Sequence, residues 1–173
     1  MKINKLKGYT SCPSFFQIDL KDVTLKIVDG AANEIEIKIG EVNFTWTEAR
    51  NIDYTLDRGN LDEVRLDDDI PVNVSFDFIW EFISGTGIIP TIEDALKKRG
   101  PAAAWVSTDA DGCRPYAVDL VLINAPNCGA SSNPVETITI QDFRWESLDH
   151  DLRAGTISCS GQANVTEADS VRS

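Results

Sequence analysis

Histidine is nearly absent from this chain, with His150 the only one, and there is a single methionine. The four cysteines, Cys12, Cys113, Cys128 and Cys159, include no CxxC pair, so a zinc site of the usual Cys/His pattern has too few ligands. No apolar run approaches the ~20 residues needed to cross a bilayer. Basic residues are scarce, 16 against 28 acidic, for a net charge of −12. That balance argues against wrapping nucleic acid or docking on an anionic membrane, both of which need a basic face. No apolar stretch follows Lys2, Lys5 and Lys7, so the expectation is synthesis and folding in the cytoplasm without a secretory signal.

Chemistry is also thin. Nucleophile elbow, phosphate loop and dinucleotide fingerprint are all missing. Ser147, Asp149, His150 and Asp151 carry the residue types of a hydrolytic triad. Triad members are brought together by folding, however, and neighbours on one short segment rarely reach the required geometry. A capping or turn-stabilising role is expected for Asp149-His150-Asp151. Asp67-Asp68-Asp69 lacks the alternating ligands, glycine and distal glutamate of a calcium loop, and reads as a solvated bend. The expectation is a non-enzyme without cofactor or metal. The cysteines are expected as free thiols, since a Cys113–Cys128 bridge would require both loops flanking the intervening strand to fold back.

What the sequence has in abundance is alternation. Val23, Leu25 and Ile27 alternate with Thr24, Lys26 and Val28, a turn follows at 29–33, and Ile35, Ile37 and Ile39 resume the pattern. Val42, Phe44 and Trp46 form a third run. From Val72 to Phe82 one face is Val72, Val74, Phe76, Phe78, Trp80 and Phe82, and the other is Asn73, Ser75, Asp77, Ile79 and Glu81. Such a split predicts a strand with one face on a core and the other in water or a solvated cavity. Further strands are expected over Tyr116–Ile123, Glu136–Trp145 and Gly155–Val165. One helix is expected at about 92–99, capped by Thr91 and stopped by Gly100-Pro101. Trp46 and Trp80 fall on apolar faces and are expected in the core, and any tryptophan that proves exposed would be an interface anchor.

Between about 47 and 71 the character changes. Arg50, Asp57, Arg58, Asp62, Glu63, Arg65, Asp67, Asp68 and Asp69 crowd this stretch, Ile52, Tyr54 and Leu56 still alternate, and Asp57-Arg58-Gly59-Asn60 is a turn. It reads as a long charged β-hairpin protruding from the core, and connections of this length are usually functional. The expected architecture is mainly β: an antiparallel β-sandwich or barrel of two packed sheets in one domain spanning 1–173, with the short helix at its flank.

Two stretches resemble the major tail tube proteins of long-tailed bacteriophages. One runs from Thr55 through Leu56-Asp57-Arg58-Gly59-Asn60 and Asp67-Asp68-Asp69-Ile70-Pro71 into the Val72 strand. The other is Glu136-Thr137-Ile138-Thr139-Ile140-Gln141-Asp142-Phe143-Arg144-Trp145 with Leu148 to Ser158. The resemblance implies a virion protein, assembled in the host cytoplasm, that forms hexameric rings stacked into a hollow tail tube. Implied partners are further copies of itself, the tape measure, terminator and tip or baseplate proteins, and a sheath if the tail contracts. Genomic DNA would pass through the lumen without specific binding, and no membrane is involved. The hairpin would reach a neighbouring subunit through largely polar contacts. Asn73, Ser75, Asp77 and Glu81 are candidates to line the bore, where acidic and neutral polar groups would repel phosphate. A tail terminator or baseplate hub subunit, stopping at one ring, is the alternative, followed by a monomeric binding module.

Overall fold

In a computed structural model of the chain, residues 23–37, 43–81, 89–125 and 135–172 are described. The strands are β1 (Val23–Val28), β2 (Glu34–Ile37), β3 (Phe44–Thr47), β4 (Ile52–Asp57), β5 (Asn60–Leu66), β6 (Val72–Ile79), β7 (Val118–Asn124), β8 (Glu136–Asp151), β9 (Thr156–Ala163) and β10 (Asp169–Arg172). The helix α1 covers Ile92–Lys97, and a 3₁₀ turn follows at Gly100–Ala102.

Eight strands form one antiparallel sheet in the order β2-β1-β7-β8-β9-β6-β3, with β10 also on β8. The expected β-sandwich is present, and its two layers are arms of this single sheet. The 16-residue β8 joins them. Its first half pairs with β7 and β10, from Glu136 to Phe143, and its second half pairs with β9, from Phe143 to Asp151. The register shifts between Val118 and Leu120 on one side and between Trp145 and Ser147 on the other. Asp142, at φ 55, sits at the handover. Its amide donates to Asp119 Oδ1 at 2.9 Å, and its Oδ1 accepts from Thr108 Oγ1 at 2.8 Å, which holds the unusual backbone in place. A strand that bends at bulges and enters a second layer is how sandwich corners are made.

Both arms bury their alternate residues in one core. Leu25, Ile27, Leu120, Leu122 and Ile140 come from one arm, and Val74, Phe76, Phe78, Ile157 and Cys159 from the other. Phe143 stands where the arms meet, with its ring 5.9 Å from that of Phe76. Burial pushes the Cys159 thiol up to about 12, which leaves it unreactive in the folded chain. Cys113 is exposed and also free, while Cys12 and Cys128 lie outside the described residues.

The helix begins as expected. Thr91 Oγ1 accepts from the Asp94 amide and Asp94 Oδ2 accepts from the Thr91 amide, a complete capping box. It ends two residues earlier than expected because Lys98 takes the left-handed conformation, φ 50. Trp145 Nε1 donates to Leu96 O at 2.8 Å and fastens the helix to β8. His150 corrects the sequence reading: it lies within β8, its ring meets the Trp80 ring edge-on at 5.1 Å, and its Nε2 stands 3.4 Å from Glu93 Oε1. The turn-stabilising role falls to Asp151 alone, whose Oδ1 accepts from the Arg153 and Ala154 amides.

Asp29 is 3% exposed and ties the β1–β2 turn to the segment after Trp105. Its carboxylate accepts from the amides of Ala31, Asn33 and Val106 and from Asn33 Nδ2. Burial on its own raises the carboxyl pKa, and these hydrogen bonds more than offset that, holding it below its ordinary 3.8. A lowered folded-state value means that stability from Asp29 is present above about 3.8 and is lost as pH falls through the folded value. Asp29→Ala is expected to cost about 3 kcal/mol at neutral pH, because several buried donors lose their acceptor. In thermal melts at pH 7 and pH 3, the gap between parent and variant should narrow at the lower pH.

Candidate assembly surfaces

The outward face of β3, β6, β9 and β8 is polar in every cross-strand row but the last. Thr47, Asn73 and Gln162 form one row, and Thr45, Ser75, Ser160 and Ser147 the next. Asp77, Ser158 and Asp149 form a third, then Ile79, Thr156 and Asp151. Gln162 Nε2 donates to Asn73 Oδ1 at 3.2 Å, and Thr45 Oγ1 to Ser75 O at 3.3 Å. Among the described residues the one cation in these rows is Arg144, opposite Gln162, and its guanidinium turns away to Asp109 and to Pro115 O. Among the described residues this surface therefore presents hydroxyls, amides and carboxylates without a free positive charge.

Of the residues expected on this face, Asn73 and Ser75 are exposed and Asp77 is half-buried. Glu81 is not on it. The strand ends at Ile79, and Glu81 lines a small cleft with Thr91 and Glu93 beside the helix start. Its place in the sequence alternation did not survive the end of the ladder.

The expected hairpin is present as β4 and β5, a separate two-stranded sheet. Arg58 (φ 51) and Gly59 (φ 83) are both left-handed, the geometry of a two-residue primed turn that matches the twist of the strands. Its charged residues gather at the tip, along one face and at the root. Asp57 and Arg58 are at the tip, and Glu63 Oε2 accepts from Arg65 Nη2 at 2.8 Å on the charged face. At the root Arg50 meets Glu167 at 3.2 Å and Asn51 donates to Asp67 Oδ2 at 2.8 Å. Asp67, Asp68 and Asp69 border an open cleft of about 250 Å³ there. Exposed pairs of this kind contribute ~0–1 kcal/mol each.

The opposite face is apolar, against the expectation of largely polar contacts. Ile52 stands opposite Leu66, Tyr54 opposite Val64, and Leu56 opposite Leu61. The register slips between Thr55 and Leu56, so Asp62 becomes the extra residue and Leu61 takes the place opposite Leu56. All six apolar side chains are exposed, Leu56 at 62% and Leu66 at 75%. An isolated two-stranded hairpin is at best marginally stable in water. Six uncovered side chains on such an element form an exposed apolar stripe larger than scattered surface hydrophobics.

Trp80 and Trp145 are each 38% exposed, against the expectation that Trp80 is wholly in the core. Ile79, on the outward face at the end of β6, and Leu152, in the β8–β9 turn, are also exposed, and Trp80 N donates to Gly155 O in that turn.

No protein-family model and no curated protein matches the sequence. Solved structures do match. A chain of the sheath/tube terminator of an extracellular contractile injection system, in the extended state, aligns with TM-score 0.53 at 11% identity, over 93% of this chain and 99% of that one. The tube-terminating cap of the anti-feeding prophage aligns with TM-score 0.53 at 8% identity, over 95% and 97%. A chain of the sheath–tube complex of an extracellular contractile injection system gives 0.52 at 10% identity, over 92% and 93%. What they share with this chain is the fold. The likeness runs nearly the length of both partners.

Proposed function

We propose that this chain is a structural subunit of a tail-like injection particle, without enzymatic activity, that associates with copies of itself into a ring at the end of the tube. The observation that carries this reading is the apolar face of the β4–β5 hairpin, which its own domain leaves uncovered. Two of the three solved relatives terminate a tube, which supports a terminator or cap over the tube itself. The relative from a sheath–tube complex supports the second reading, in which such rings stack into the tube. In either case the partners are further copies of this chain and the adjoining tail proteins, and the site of action is the particle.

The polar face formed by Asn73, Ser75, Asp77 and their neighbours on β8 and β9 lines the bore in this proposal. Carboxylates without a free cation repel phosphate, and neutral hydroxyls and amides add only weak, uncharged contacts, so passing DNA would not be held. Barrels of about eight strands are filled by their own side chains. A passage wide enough for a duplex therefore requires several chains.

Electron microscopy of the purified chain tests the proposal. Single rings with a central opening are expected. Long hollow tubes would move the assignment to the second reading, and monomers at high concentration would overturn both.

A further inference from the structure

We infer that Asp119, Thr108 and Asp142 form a proton-sensitive joint at the corner where β8 passes between the two layers. The joint is closed when one proton is held among the three side chains and open when both carboxylates are ionised. It lies within a single copy, so it does not depend on how copies associate.

Register brings the two carboxylates together. Val118 pairs with Phe143 and Leu120 with Ile140, so Asp119 alone stands opposite both Gln141 and Asp142. Asp142 has φ 55 there, and its amide donates to Asp119 Oδ1 at 2.9 Å. Thr108 comes from the loop before β7, where its own amide is fixed to Ala117 O at 3.1 Å. Its Oγ1 donates to Asp142 Oδ1 at 2.8 Å and is also within hydrogen-bond reach of the Asp119 carboxylate.

A hydroxyl carries one hydrogen and can accept two more bonds. With both carboxylates ionised, that hydrogen serves one of them, and the other faces a like charge with one donor fewer. A proton on Asp119 completes the order. Its O–H then donates to Thr108 Oγ1, and the Thr108 O–H donates to Asp142 Oδ1.

The surrounding charges decide which carboxyl takes the proton. Arg114 interacts with the charge of Asp142, and Arg144 Nη1 donates to Asp142 O at 3.2 Å, an oxygen that also accepts from the Asn164 amide. Both arginines are held there by Asp109, and Arg114 also by Asp111. On the Asp119 side β1 places Val28 opposite, and Asp29 beside it is engaged in its own turn. Lys26, the next outward residue of β1, is paired with Glu34 at 2.8 Å. The cations therefore favour charge on Asp142, and the proton falls to Asp119.

Burial raises the Asp119 carboxyl above its ordinary 3.8 and the charge of Asp142 adds to this, while the Asp142 amide and the Thr108 hydroxyl offset part of it. A raised folded-state value means that the stability from this group is full below about 3.8 and is lost as pH rises through the folded value.

Asp119→Asn tests the joint, because its amide keeps the acceptor for the Asp142 N–H and supplies a permanent donor for Thr108. At pH 7 its melting temperature should exceed that of the parent by roughly 2–4 °C, and the gap should narrow toward pH 4. In the Asp142→Asn background the same change should give a clearly smaller rise, because the facing charge has gone. Amide exchange at Asp142 and Asn164, corrected for intrinsic rates, should slow in the parent from pH 7 to pH 4 and stay level in Asp119→Asn. An unchanged or lower melting temperature for Asp119→Asn at pH 7 would overturn the joint. An equal rise in both backgrounds would assign the effect to burial of Asp119 alone and overturn its pairing with Asp142.

Discussion

Replacing Leu56 and Leu61 together by aspartate is expected to turn rings into monomers while leaving the melting temperature unchanged. The two residues face each other across the β4–β5 ladder, at the tip end of the uncovered apolar stripe. Burying a leucine side chain contributes about 1.5–3 kcal/mol. Losing two, even at the low end and with some cost for desolvating the new carboxylates, removes about 4 kcal/mol per contact. That weakens each contact roughly a thousandfold. Neither side chain takes part in the core, at 62% and 61% exposed, so the domain should melt as before. Thr55→Asp, on the charged face, is the control and should leave rings intact. Light scattering and electron microscopy at matched concentration separate these outcomes, and intact rings in the double variant would show that the stripe is not the contact.

Gly161→Ala should have the largest effect on the fold itself. A Cβ at Gly161 would overlap the carbonyl oxygen of Arg144 and come within 2.8 Å of Trp145 Cα. Both are backbone atoms of β8 at the register shift, so no side chain can rotate aside to make room. Overpacking of this kind costs about 3 kcal/mol, which lowers the melting temperature of a domain this size by roughly 6–12 °C. Gly112→Ala is the comparison: a Cβ there meets nothing within 4 Å, and the change should stay within about 0.5 kcal/mol. An unchanged melting point for Gly161→Ala would mean that β8 and β9 do not pack as described.

Much of the sandwich was readable because β6, β7 and β9 alternate cleanly between core and surface. Where a strand keeps strict period two, its buried face is written in its residue order. The unreadable parts are those where the period breaks. Strand β8 was expected to stop at Trp145 because Glu146 and Ser147 interrupt its alternation. The interruption is a bulge, and the strand runs on to Asp151 with a shifted register. The same cause hid the apolar face of the hairpin. Leu61, Val64 and Leu66 have irregular spacing and fall on one face only because Asp62 is the extra residue. The charged residues of the hairpin were conspicuous in the sequence and drew the expectation of polar contacts. Folded, they occupy the tip, the root and the opposite face. Asn73, Ser75 and Asp77 were legible as a polar face, but Ser147, Asp149, Ser158, Ser160 and Gln162 join them only through pairing. The tail-protein resemblance and the likeness to tube-terminating proteins agree at the level of fold.

The handover at Asp142 and Phe143 bears on how the domain would carry load. Because one uninterrupted strand belongs to both layers, tension applied to either is conveyed along covalent backbone into the other. The layers cannot be pulled apart by sliding one over the other until β8 itself is stripped from β7 or β9. Under load from outside, the domain would thus yield as one body before its two layers part.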